Sequence, residues 1–444
     1  MLSLLGFIAL YLALFGWLAL TAWRLGSAVL AGSAHNPLLA GLVAFGAGFL
    51  AIFMAKALVF IKRGSNDGLV EIKAAEQPQL FGFLQRLADD AGAPRPHRVF
   101  VSARVNAAVF YDLSILNLLL PSRKNLEIGL GLINVLNLSE FKAVLAHEFG
   151  HFAQRTMAVG RWVYVAQQIA AHLIERRDAL DTFLLGLSRI DLRVAWIGWA
   201  LRLVIWSIRS LVELLFRGVV LAQLALSREM EYQADLVATS LSGSDALVHA
   251  LHKLGAADDA WQRAIDFAAT QAGRGRSVSD LCAIQSRIIE QMRVILADPG
   301  FGEAPALPGG DRSQHRVFKG EIAQPPKMWA THPANSDREQ NVKRRYLSAE
   351  IDGRSAWTLF ADAESLRAKV SRSVFRERDS DPLPAAETLQ LLDQAFSRPS
   401  LDRRYRGSFL GRSIVRQVTT PEALYEAVPA GLDLDRELTA LYND

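Results

Sequence analysis

Two histidines four residues apart with a glutamate beside the first, His147-Glu148-Phe149-Gly150-His151, are the residues of this chain whose types and spacing point most directly to chemistry. They follow the run Phe141-Lys142-Ala143-Val144-Leu145-Ala146, whose apolar pattern predicts a helix. Positions i and i+4 of a helix share a face, so both imidazoles can converge on one tetrahedral zinc ion at about 2.0–2.1 Å. Glu148 is turned about 100° around the axis, toward the water that zinc would activate, which makes it the candidate general base. Zinc lowers the pKa of such a water from about 15.7 toward about 7, so a carboxylate can take its proton as it attacks a peptide carbonyl.

A catalytic zinc site takes three protein ligands and keeps its fourth position open. The chain has a single cysteine, Cys282, so the third ligand has to be a histidine or a carboxylate; Cys282 itself reads as a small buried apolar residue. The stretch Ser227-Arg228-Glu229-Met230-Glu231-Tyr232-Gln233-Ala234-Asp235 puts Glu231 and Asp235 one helical turn apart, directly after an apolar helix. Glu231 is the candidate third ligand. Asp235 would accept a hydrogen bond from a ligand imidazole and set its tautomer. Exposed helix carboxylates are the competing reading of this stretch, and for Glu229 the preferred one. His249 and His252 stand three apart without an acidic companion and read as surface or packing residues; His35, His97, His172 and His315 show no ligand spacing.

These motifs together resemble the membrane zinc metallopeptidases that include the heat-shock protease HtpX and the type I CAAX prenyl proteases. The resemblance spans roughly residues 70–345 and rests on Asn106-Ala107, the pentapeptide at 147–151, the Ser-Arg-x-x-Glu-Tyr-x-Ala-Asp stretch at 227–235, and Thr331-His332-Pro333 followed by Arg338. It implies one zinc per chain on His147, His151 and Glu231, with Glu148 as base. It also implies His332 as a donor to the tetrahedral oxyanion, and a polypeptide substrate lying as an added strand near Asn106, Ala107 and Ala108, as far as Phe110. Two departures are visible: Ala334 stands where relatives often have a second proline, and 157–226 is long and rich in arginine.

The rest of the chain has to hold these residues. Of the 444 residues 51% are hydrophobic and 21% charged, below the roughly 25% usual for soluble chains, and the apolar excess is gathered in blocks. Leu2 to Trp23 and Pro37 to Ala55 carry no charge, and each is long enough as a helix to cross a bilayer core of roughly 30 Å. They predict a transmembrane hairpin over 1–62, with Lys56 snorkelling and Lys62-Arg63 as an interfacial anchor. The first block lacks a positive n-region and is longer than a signal peptide's apolar core, so it reads as retained. Arg24 alone in the connecting loop, against Lys62-Arg63 after the second block, places the main domain in the cytoplasm by the positive-inside rule. The expected location is therefore the bacterial inner membrane with the active site facing the cytoplasm, and the lipid bilayer is an expected partner.

A metallopeptidase domain is expected over 63–345, mainly α with a small β-sheet and zincin-like. Within it a helix is predicted around Pro78–Ala91, strands at Arg98–Ser102, Ala107–Tyr111 and Asn125–Leu130, and Ser139 as N-cap of the helix bearing His147. Its insertion at 157–226 is apolar, but Arg202, Arg209, Glu213 and Arg217, spaced by seven, four and four, share a helical face, and Arg161, Gln168 and His172 make a similar stripe. The expectation is membrane helices whose polar stripes line an enclosed or wet cavity, two ordinary helices of a soluble domain being the alternative. Residues 346–444 read as a charged soluble extension without a catalytic motif. A net charge of +4, scattered rather than clustered, argues against nucleic-acid binding.

Two other classes compete. A non-catalytic, membrane-anchored zinc-containing binding or chaperone-like protein would have no use for Glu148, and a transporter built on the arginine stripes would leave the zinc motifs unexplained. Substrate identity and oligomeric state are left open by the sequence.

Overall fold

The computed structural model describes residues 2–59, 68–111, 124–153, 192–318, 332–374, 381–397, 403–408 and 410. Lys62-Arg63, Arg161, Gln168, His172, Thr331 and most of the end of the extension lie outside them.

The two uncharged blocks form helices α1 (Leu2–Leu30) and α2 (Pro37–Val59), joined by a short turn. Tyr11 donates to the Met54 carbonyl at 2.7 Å, which sets the pair antiparallel. Two apolar spans, Ile8–Leu30 and Pro37–Ala55, are long enough to cross a membrane. Their outer faces leave Trp17, Trp23, Leu38 and Ile52 exposed, a surface that suits lipid rather than water.

After the hairpin a four-stranded sheet is built from β1 (Val70–Ile72), β2 (Val99–Ser102), β3 (Ala107–Tyr111) and β4 (Lys124–Gly129) in the order β1-β2-β4-β3. Only the β2–β4 pair is parallel. Helix α3 (Pro78–Asp90) has its proline in the first turn, where the missing N–H costs nothing, and buries Leu80, Leu84 and Leu87. β1 was not predicted, because three residues are too few to show an alternation. Asn125–Leu130 was expected as a strand to its end, but Leu130 opens the short helix α4 (Leu130–Val135).

Helix α5 (Leu138–Ala153) carries the histidine pair. Its cap is Asn137 rather than Ser139. The Asn137 side chain accepts from the Glu140 N–H at 2.9 Å, and Glu140 accepts in return from the Asn137 N–H at 3.0 Å, a reciprocal capping box. Ser139 instead uses its hydroxyl to accept from the Asp352 N–H at 2.8 Å. A serine and an asparagine two residues apart are both good caps, and only the glutamate three residues on favours the asparagine.

The second motif lies on α6 (Leu192–Ser242), a proline-free helix of 51 residues, about 77 Å long at 1.5 Å per residue. Its first half packs on the hairpin: Leu201, Ile205, Ile208 and Val212 share an apolar cluster with Tyr11, Leu18, Leu50 and Phe53. Its last turns pack against α5. Gly243, at φ 85°, then reverses the chain into α7 (Ser244–Gly273), and a Cβ there would lie 2.6 Å from that of Ala349. The stripe expected to face that of α6, at Arg161, Gln168 and His172, lies outside the described residues. Arg217 and Glu213 pair at 2.5 Å with their side chains 71% and 43% exposed, while Arg209 leans on the Phe53 ring. The hairpin occupies the apolar face, and the stripe lies about a quarter turn away.

The main core joins α3, the sheet, α5, α7 and α8 (Leu281–Ile295), whose N-cap Asp280 accepts from the Cys282 and Ala283 N–H groups. Cys282 is buried. Helices α9 (Asn335–Lys343), α10 (Ala363–Val374) and α11 (Ala385–Ser397) complete the described chain, with the two-residue pair β5 (Arg276–Ser277) and β6 (Asp381–Pro382). The residues beyond 345 are not set apart: Ala356, Phe360, Leu366, Val370, Leu383 and Leu392 belong to the same core as the sheet and α5.

Candidate metal centre

Helices α5 and α6 cross closely where the motifs meet. A Cβ on Gly150 would lie 3.0 Å from the Ala234 Cα, so the glycine inside the pentapeptide lets the two backbones approach. His147 and His151 are thereby brought against Glu231, with His147 and Glu231 buried. His147 Nε2 and His151 Nε2 are 3.2 Å apart, and each lies 3.4 Å from an oxygen of Glu231. These three side chains form a cluster able to hold a metal ion. Donor atoms about 2.05 Å from a common centre at the tetrahedral angle are about 3.3 Å apart, so each of these separations suits neighbouring ligands of one ion, the two histidines facing different oxygens of the carboxylate. Glu231 Oε2 is buried without a hydrogen-bond partner, an arrangement costly for a carboxylate unless a cation sits beside it. The donor set fits a metal.

Around the triangle a buried relay fixes the rings. His147 Nδ1 is 2.9 Å from Asp235 Oδ1, so Asp235 accepts its proton and leaves Nε2 as the free ring nitrogen facing the triangle. Asp235 is in turn held by Arg338 of α9, at 2.9 Å from Nε and 2.5 Å from Nη2. A lone arginine a hundred residues away gives no sign of its partner, and its pairing with Asp235 is what the fold adds. Its neighbour Glu339 turns the other way, accepting from the Val317 and Phe318 N–H groups and pairing with Lys343.

The electrostatics follow from this crowding. Burial opposes the charged form of His147, but its hydrogen bond to Asp235 and the negative charge of Glu231 beside it outweigh burial and raise its pKa to about 9. Burial also works against ionised Glu231, yet the three histidines beside it hold its carboxyl far below the usual range. Burial raises the Glu148 carboxyl, with His147 and His151 opposing. That shift makes it a stronger proton acceptor. His332 is brought to the same cluster, its Nδ1 3.1 Å from Glu231 Oε1 and its side chain 64% exposed. That hydrogen bond raises the His332 pKa.

The residues expected to meet substrate are on the sheet. Asn106 is exposed and its carbonyl accepts from the Gly129 N–H at 2.7 Å; Ala107 is buried and Ala108 half-buried, opposite Glu127. Ala107 and Ala108 open β3, which pairs only with β4 among the described strands and packs against α5. His249 is buried and His252 lies beside the Phe318 ring, neither in a metal cluster among the described residues.

A helix-borne His-Glu-x-x-His pair closed by a carboxylate from a second helix, with two long apolar helices at one end, defines a membrane-associated metallopeptidase. Residues 74–346 match the model of peptidase family M48, and the chain belongs to that family. Among relatives, a protease HtpX homolog of Desulfatibacillum aliphaticivorans is 25% identical over 58% of this chain and 83% of its own. A protease HtpX homolog of Campylobacter curvus is 30% identical over 50% of this chain and 71% of its own. Protease HtpX of Actinobacillus pleuropneumoniae serotype 5b is 27% identical over 47% and 68%. No solved structure matches the chain.

Proposed function

We propose that this protein is a zinc-dependent endopeptidase of a bacterial inner membrane, with its active site on the cytoplasmic side, cleaving polypeptides at the membrane in protein quality control. The observation that carries this reading is the cluster of His147, His151 and Glu231, whose ring nitrogens are 3.2 Å apart and each 3.4 Å from a Glu231 oxygen, with Glu148 beside both histidines. Two nitrogens and one carboxylate are a donor set for zinc rather than for calcium or magnesium, which take oxygen ligands. When bound, zinc supplies a Lewis acid that acidifies water and polarises a carbonyl.

The chain's own residues do the rest. Asp235 keeps the His147 proton on Nδ1, and Arg338 keeps Asp235 ionised and still. Glu148 takes the proton of the attacking water and returns it to the leaving amine. The substrate lies along β3 at Asn106, Ala107 and Ala108, where an extended chain finds a strand edge that is unpaired among the described residues. His332, held by Glu231 through Nδ1, donates from its other ring nitrogen to the developing oxyanion.

Replacing Glu148 with Gln removes the base and none of the ligands. Cleavage of casein by the purified full-length protein in detergent should fall about 10²–10⁴-fold while zinc content stays at one per chain. Wild-type cleavage should stop with chelator and return with zinc. Persistent cleavage by the Gln variant would refute the assignment of Glu148.

A further inference from the structure

We propose that the charged face of α6, from Arg202 through Arg209, Glu213 and Arg217, is a docking track for a transmembrane helix of another protein that carries an aspartate or glutamate near the bilayer centre. The inference rests on the peptidase reading and names the class of substrate that the site would receive.

Depth comes first. Residues 201–208 of α6 lie beside 14–21 of α1 and 43–50 of α2, around an apolar cleft of about 400 Å³. Those stretches are the middles of the spans Ile8–Leu30 and Pro37–Ala55, so Arg202 sits level with the centre of the bilayer. It does not face the hairpin, whose contacts are Leu201, Ile205, Ile208 and Val212. Arg202 is exposed among Trp199, Leu203 and Trp206, which are 61%, 63% and 64% exposed, and it has no ion-pair partner among the described residues. A charge at that depth is costly and is normally paired.

Charge then selects the occupant. A second copy of this chain cannot supply the counter-charge from its described membrane helices, because residues 2–59 and 192–212 contain no aspartate or glutamate. Lipid phosphates lie half the roughly 30 Å core away, farther than an arginine side chain extends. A foreign transmembrane helix with a buried carboxyl group meets both conditions.

The track also has a direction. Arg209 follows two turns on, 5.2 Å from the Phe53 ring centroid, and then the Glu213–Arg217 pair. Glu231 comes fourteen residues after Arg217, close to four turns, so it falls on nearly the same face, about 44 Å of helix from Arg202. A helix drawn along this face would find side-chain donors for the backbone carbonyls it exposes on unwinding, and would arrive at the metal cluster.

The test uses the full-length protein in phosphatidylcholine nanodiscs, in the Glu148→Gln background. Binding of a labelled polyleucine transmembrane peptide is followed by energy transfer, with Glu, Leu or Lys at its central position. The Glu peptide should bind about three- to thirtyfold more tightly than the Leu peptide. Arg202→Gln should abolish that difference, and Arg202→Glu should transfer the preference to the Lys peptide. Equal binding of the Glu and Leu peptides by the parent would overturn the proposal. So would a fall in casein cleavage by both Arg202 variants, in the Glu148 protein, as large as their fall in cleavage of the Glu peptide, since Arg202 would then be structural. Charge-dependent binding without cleavage by the Glu148 protein would count against the peptidase reading and leave the track standing.

Discussion

At the scale of single residues, the metal centre is a set of buried charges that hold one another in place. Asp235 lies between a ligand ring and a guanidinium, accepting from both His147 and Arg338. Replacing Asp235 with Ala should weaken zinc binding by the roughly 10–100-fold typical of a ligand's hydrogen-bond partner, read by competitive chelator titration. It should weaken it less than Glu231→Ala, which removes a ligand outright. His332 differs in kind, because its side chain is largely exposed and touches only the edge of the cluster. His332→Phe should lower kcat and kcat/KM together by about 10²–10³ with zinc stoichiometry intact. Loss of zinc in that variant would instead make His332 part of the metal's support.

Between residues and the whole lies the crossing of α5 and α6, two helices that each carry part of the site. Asn137 and Glu140 fix where α5 begins, and Lys253 of α7 pairs with Glu140 at 2.8 Å, so the histidine helix is anchored at its N-terminus. At the other end Gly150 sets its distance from α6. Gly150→Val should separate the helices and cost about 1–3 kcal/mol, the usual range for overpacking. The denaturation midpoint should fall and zinc affinity with it, although no ligand has changed. An unaltered midpoint would mean that the crossing has slack the geometry does not suggest.

For the molecule as a whole, α6 is the member that joins membrane and chemistry, since one unbroken helix runs from the hairpin to Glu231. The part beyond the matched family region, which ends at residue 346, is built into the same core. Arg287 of α8 grips Asp393 of α11 with two hydrogen bonds, and beside it Leu392 is fully buried. Leu392→Ala should therefore cost about 2–5 kcal/mol of stability to the peptidase domain itself, measured as a shift of its unfolding transition. A variant whose peptidase domain unfolds at the wild-type midpoint would show the extension to be an independent unit.

What the sequence determined by itself were the features written in local patterns. The uncharged blocks at 2–23 and 37–55 became α1 and α2, the strand Ala107–Tyr111 was found at its predicted ends, and the i, i+4 histidines occupy one helix face, because length, alternation and helical period depend on neighbours in the chain. The choice of Glu231 over Glu229 as candidate ligand needed two motifs eighty residues apart to be read together, and only their family order allowed it. Tertiary structure alone decided that Arg338 holds Asp235, that Gly150 lets α6 approach, and that the residues after 345 complete the core. Each of these is a contact between groups whose separation in sequence carries no period. Burial and charge make such contacts favourable only once the helices have crossed.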